Sequence, residues 1–211
     1  MDLDPDRQLA LAYIPAAVRP AVEALWRLDA SFAAILATGT QPMISQLRLA
    51  WWREALERLD RDPPPAEPVL QALADHVLPV VSGAELAAME EAWLILLSEE
   101  ALTGDELARY AELRGGLLFA CSARLLGDPD FPVRQAGALW ALADLARHSR
   151  RVDEIKSAPP EPKTKWPKRL RPLGMLAMLA RRDLERLGRE QEKAGSPARM
   201  WRMLHHRFSG N

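Results

Sequence analysis

Apolar residues recur along this chain at three- and four-residue steps, and no stretch alternates apolar with polar positions for long. That period predicts helices and argues against strands. The steps suggest helices over Asp4 to Tyr13, Ala21 to Ala37, Pro42 to Arg58, Val69 to Val77, Gly83 to Ser98, Asp105 to Leu126, Phe131 to Arg151 and Leu173 to Lys193. In the second, Val22, Leu25, Trp26, Ala33 and Leu36 form the core face; in the third, Ile44, Leu47, Trp51, Ala55 and Leu59 share one stripe. Trp51 and Trp52 are neighbours, so only one of them can lie on that stripe, and the other is an edge or partner-facing residue. Pro42 sits where a helix tolerates it, in the first turn. Thr103 and Glu106 are spaced as a capping box, and Ser196 with Pro197 opens a short closing helix.

Proline punctuates the rest. DRDPPPAEP, Asp60 to Pro68, ends the third helix because proline removes a backbone donor and restrains the residue before it. KSAPPEPKTKWPKRLRP, residues 156–172, combines prolines with positive charge and is expected to be a surface loop or a mobile lid. Gly115 and Gly116 interrupt a helical run at a cost of about 1 kcal/mol each against alanine, so they imply close approach of a neighbouring helix or of a ligand.

Composition changes this picture little. The 211 residues suit one domain over 1–211, and 28 Lys+Arg against 29 Asp+Glu leave no net field to gather nucleic acid. Cys121, the single cysteine, rules out an internal disulfide and suits a reducing cytoplasm; its apolar neighbours suggest a buried small side chain. The acidic start MDLDPDRQ is unlike a targeting peptide, and no apolar run is long enough to span a bilayer, which leaves the surface of a membrane such as the inner membrane as the place of any contact. Nucleotide loops, CxxC pairs, HExxH helices and GxSxG elbows are all missing. His205 and His206, adjacent on a helix, cannot share a metal on one face.

The order of segments resembles a known family. RQLALAYIPAAVRPAVEALWRLDA (Arg7 to Ala30), QLRLAWWREAL (Gln46 to Leu56), YAELRGGLLFACSARLLG (Tyr110 to Gly127) and GALWALADLARHSR (Gly137 to Arg150) are together similar to the squalene/phytoene synthases. The resemblance implies an all-α isoprenoid synthase-like bundle around a central apolar cavity, here shortened. In active members two aspartate-rich helices hold Mg²⁺ on a prenyl diphosphate, because the departing diphosphate develops charge that metals or Arg/Lys must offset. This sequence departs from that pattern. The first motif's place reads Ala33-Ala34-Ile35-Leu36-Ala37, and the second's reads Arg147-His148-Ser149-Arg150-Arg151.

One turn earlier on each helix stands a carboxylate, Asp29 and Asp144. They are the remaining catalytic candidates, able to meet in the cavity over one metal or to bond a hydroxyl or an arginine; the plainer expectation pairs each within the fold, Asp144 with Arg147 or His148. Arg48, Arg147, Arg150, Tyr110, Gly115 and Gly116 are the candidate ligand-binding residues. No metal or cofactor is expected. The reading reached is a non-catalytic relative, similar to the branch containing a mitochondrial assembly factor for respiratory complex I, that binds an isoprenoid, a lipid or a protein partner. The alternatives are a helical interaction module, and an active prenyl transferase with relocated Mg²⁺ ligands in which Arg147, Arg150 or Lys168 bind diphosphate.

Overall fold

The structure, a computed structural model, describes residues 3–39, 41–148, 155, 165–189 and 191–210. Among these there is no strand. The helices are α1 (Pro5–Ala12), α2 (Arg19–Thr38), α3 (Pro42–Arg58), α4 (Pro68–His76), α5 (Gly83–Ala87), α6 (Met89–Ile95), α7 (Gly104–Ala111), α8 (Leu117–Leu125), α9 (Arg134–His148), α10 (Arg171–Glu185) and α11 (Pro197–Ser209), with a π turn at Glu112–Gly116 joining α7 to α8.

Local chemistry sets most of the boundaries. Asp4 caps α1 by accepting from the amides of Asp6 and Arg7 at 3.0 and 3.1 Å, with Pro5 next in line. Thr103 and Glu106 close their capping box on α7, and Ser196 caps α11 through the Arg199 amide. Asp60, in the turn after α3, reaches across to the first amides of α5, at 2.6 Å to Gly83 and 2.9 Å to Ala84. The expected helix from Gly83 to Ser98 is two, α5 and α6, joined by a single turn residue, Ala88, whose angles stay near helical (φ −61, ψ −21), and the second ends at Ile95. The expected 156–172 loop has 156–164 outside the described residues. Residues 165–170 are turn or coil, and α10 already begins at Arg171, earlier than the sequence suggests, because Pro172 falls in its first turn.

α9 packs against the π turn and α10, α10 carries α11 and α1, and α2 lies between α4, α8 and α6. The core is continuous through Trp26, Phe32, Trp93, Tyr110, Phe119 and Trp140. Trp26 donates to Ser122 Oγ at 3.1 Å, which satisfies its one polar atom in that core. Cys121 is buried there as expected, and burial pushes its thiol up to about 12.

One expected face is corrected. On α3 the core-facing side chains are Ser45, Leu49, Trp52, Ala55 and Leu56, whereas Ile44, Leu47 and Trp51 are exposed. α3 carries large apolar residues on both sides, so its periodicity fits two faces, and the packing of α2, α5 and α6 against one of them decides which is covered.

Gly115 is explained by packing. A Cβ on Gly115 would lie 1.9 Å from the Gly137 carbonyl oxygen, and one on Gly137 would lie 2.1 Å from that of Gly115. The π turn and α9 therefore touch backbone to backbone. Gly115→Ala should force the helices apart and destabilise the fold by about 1–3 kcal/mol or more, read as a lower midpoint in chemical denaturation.

Candidate functional site

Where α2, α6, the π turn and α9 converge, the helices leave a cavity of about 440 Å³. Its walls are apolar: Ala30, Ala33, Leu36 and Ala37 from α2, Trp93 and Leu96 from the α6 region, and Leu145 from α9. Leu3, Asp4 and Arg7 close one side, and Tyr110, Arg114, Asp144 and His148 supply the polar floor and rim.

The floor is a closed ion-pair network. Asp29, fully buried on α2, accepts from Arg114 Nε at 2.8 Å and Nη2 at 3.0 Å, and from Arg7 Nη1 at 3.0 Å. Arg114 Nη2 also meets Asp144 Oδ2 at 2.7 Å, and its Nη1 donates to Tyr110 Oη at 2.6 Å. The guanidinium lies 4.3 Å from the Trp93 ring centre and 5.0 Å from that of Trp140, with Arg7 4.7 Å from the latter. Arg7 is held in turn by Asp4 at 2.9 Å. A buried charge survives only when paired and hydrogen-bonded, and here each arginine is pinned between carboxylates and indole faces.

The electrostatics follow. Burial alone would raise the Asp144 carboxyl, but Arg114, then His148 and Arg7, hold it well below the usual carboxylate range. Burial pushes the Tyr110 phenol up to about 12, so it is neutral at ordinary pH. Arg114 is held well above its ordinary value because Asp29, Tyr110 and Asp144 outweigh its desolvation. At the rim, His148 Nδ1 sits 3.2 Å from Asp144 Oδ1, and this bond raises the imidazole's pKa against partial burial. A raised folded pKa means that the His148 contribution to stability is present below the ordinary histidine range and is lost as pH rises through the folded value. Asp144→Asn should lower the His148 midpoint toward that ordinary range, which an NMR titration of its ring protons reads directly.

A second network lies behind the first. Arg199 on α11 donates from Nε to Asp6 at 2.9 Å and from Nη1 to Asp183 at 2.7 and 2.9 Å. Arg147 reaches the same Asp183 at 3.2 Å and the Glu192 carbonyl at 2.9 Å. α1, α9, α10 and α11 are thus tied together.

Tyr110 and Asp144 line the cavity. Asp29 lies beneath it and pairs with arginines, so the shared object between Asp29 and Asp144 is the Arg114 guanidinium. Arg147 faces a smaller hollow of about 50 Å³ and is engaged by Asp183. Arg48 is exposed on α3 and does not line the cavity; Gly115 faces Gly137, and a Cβ on Gly116 would meet the Glu112 side chain. Lys168 is exposed beyond the cavity walls, and Arg150 lies outside the described residues. The residues that sequence reasoning missed are Arg7, Arg114, Trp93 and Trp140. The signal for Arg114 was an arginine four residues after Tyr110, one helical turn on and directly before the glycine pair.

The donor set does not suit Mg²⁺ held on a diphosphate. Mg²⁺ takes hard oxygen ligands in near-octahedral geometry, yet the cavity presents Ala33, Ala37 and His148 at the expected positions, and the oxygens of Asp29 and Asp144 already bind Arg7, Arg114 and His148. Among the described residues, no three His, Cys, Asp or Glu side chains converge as a metal group.

An all-helical bundle enclosing an apolar cavity with a charged floor is the architecture of the isoprenoid synthase fold. The family model of squalene/phytoene synthase matches residues 2–152, and the chain belongs to that family. A search of curated proteins and a search of solved structures found no match. Among the described residues, no helix is long and apolar enough to cross a membrane.

Proposed function

We propose that this squalene/phytoene synthase relative is a non-catalytic binding protein that holds one isoprenoid or lipid chain in its cavity, as a carrier or assembly factor, with no metal. The observation that carries the reading is the replacement of ligand oxygens by methyl groups: Ala33 and Ala37 line the cavity, and the carboxylates nearby, Asp4, Asp29 and Asp144, are engaged by arginines. Prenyl transfer needs charge to be neutralised on the departing diphosphate. Arg7 and Arg114 would have to leave Asp29 to provide it, which would strand a buried carboxylate. An apolar chain asks nothing of them, and about 440 Å³ falls in the size range of small-molecule sites.

The test pairs two measurements on the purified protein. Incubated with farnesyl or geranylgeranyl diphosphate and Mg²⁺, it should release no pyrophosphate. Native mass spectrometry with farnesol should show one retained molecule. Mg²⁺-dependent pyrophosphate release, abolished by Asp144→Asn, would replace this reading with that of an active transferase.

A further inference from the structure

The charged groups around the cavity differ in how far they can be reached. Asp4 and Asp144 both line it and keep 35 and 19% of their side-chain surface accessible, whereas Arg7 and Arg114 beside them keep 8 and 2%. The guanidiniums are the more withdrawn because each is drawn onto Asp29, which is wholly buried. A head group arriving from the cavity therefore meets carboxylate oxygens before it meets a cation.

Those carboxylates have hydrogen-bonding capacity to spare. An ionised carboxylate only accepts, and its two oxygens offer about four sites. Asp4 receives the amides of Asp6 and Arg7 and lies against Arg7 Nε; Asp144 receives only Arg114 Nη2 and the His148 ring among the described residues. Asp144 thus has the most room for a further donor. Burial works against its charge, yet Arg114 and His148 keep its carboxyl ionised, well below the usual carboxylate range.

Charge balance narrows the class of donor. Asp4, Asp29 and Asp144 are offset by Arg7, by Arg114 and by His148, whose pKa the bond to Asp144 raises. The set is close to neutral, so it holds no surplus positive charge for a phosphate and little negative charge for an ammonium. A phosphate monoester, carrying about −1.5 to −2 near pH 7, would be set beside two carboxylates. A hydroxyl brings one donor and no charge.

We infer that the chain held in this cavity ends in an uncharged hydroxyl that donates to Asp144, and that Asp144 and Asp4 together keep phosphorylated chains out. The inference rests on the chain-binding reading above and adds the class of head group.

Ligand titrations of the full chain, followed by tryptophan fluorescence in metal-free buffer with a chelator, test it with chains of one length: farnesol, farnesyl phosphate, farnesylamine and farnesyl acetate. Farnesol should bind tightest. Farnesyl phosphate should bind at least about tenfold more weakly because of its charge. The acetate, which has no donor to offer Asp144, should bind about tenfold more weakly as well. Asp144→Asn should close most of the gap between phosphate and alcohol. Asp4→Asn, which keeps a good cap for α1, should close part of it and reads the same effect if Asp144→Asn folds poorly. The hydroxyl assignment is overturned, with the chain-binding reading left standing, if the phosphate, the amine or the acetate binds as tightly as farnesol. A phosphate gap that neither variant moves overturns it too, since size rather than charge would then exclude the phosphate. If none of these chains binds, both readings fall.

Discussion

Replacing Arg114 with methionine should destabilise the protein by about 3–5 kcal/mol, the usual cost of removing one partner from a buried ion pair. For a chain of this size that is a fall of about 10 °C or more in the thermal midpoint. Arg114 is the hub: it is buried, it bonds Asp29 twice, it meets Asp144 and Tyr110, and it lies against Trp93 and Trp140. Methionine keeps most of the stem's packing, so the loss reads the charge rather than a cavity. Asp29 would keep only Arg7, and Asp144 would keep His148. The double variant Arg114→Met with Asp29→Asn separates the causes. If the single change hurts because it leaves an uncompensated carboxylate, the second should recover part of the loss, and the two effects will not add. Additive losses would show that the hub matters for shape alone.

Filling the cavity should do the reverse, removing binding while sparing the fold. Ala33 lies on the α2 wall of the cavity and is half-buried, so Ala33→Trp places an indole where the proposed chain would lie. Retention of farnesol should drop by at least about tenfold, because the added ring takes a large share of a small-molecule-sized site. The thermal midpoint should hold or rise, since the ring enters space that is not closely packed, unlike a core position where added volume costs stability. A variant that unfolds would indicate that the cavity closes in solution. One that binds unchanged would place the ligand elsewhere.

These two experiments touch different levels of what the chain encodes. The helical class, the proline-bounded loop after α3, the capping box at Thr103 and the cap at Ser196 were all legible, because each depends on residues within a turn of one another. The absence of acids at Ala33 and Ala37 was legible too, once the resemblance to the family had placed them. So was the reason for Gly115, though not its partner: a glycine announces a close approach without saying from which side.

What the sequence left open was which apolar face of α3 would be covered and which charges would meet. Ile44, Leu47 and Trp51 have the same spacing as a core stripe and are exposed, because coverage is a property of the neighbours and not of the helix. Asp29 and Arg114 are separated by 85 positions and Asp6 and Arg199 by 193. Any of the 28 cations could be written opposite either acid on paper. The sequence by itself determined an all-helical bundle of this family whose motif sites lack carboxylates. Only the tertiary structure decided that the two surviving acids close on arginines, since local propensity acts within a few residues whereas ion pairing and burial depend on which distant segments packing brings within about 4 Å.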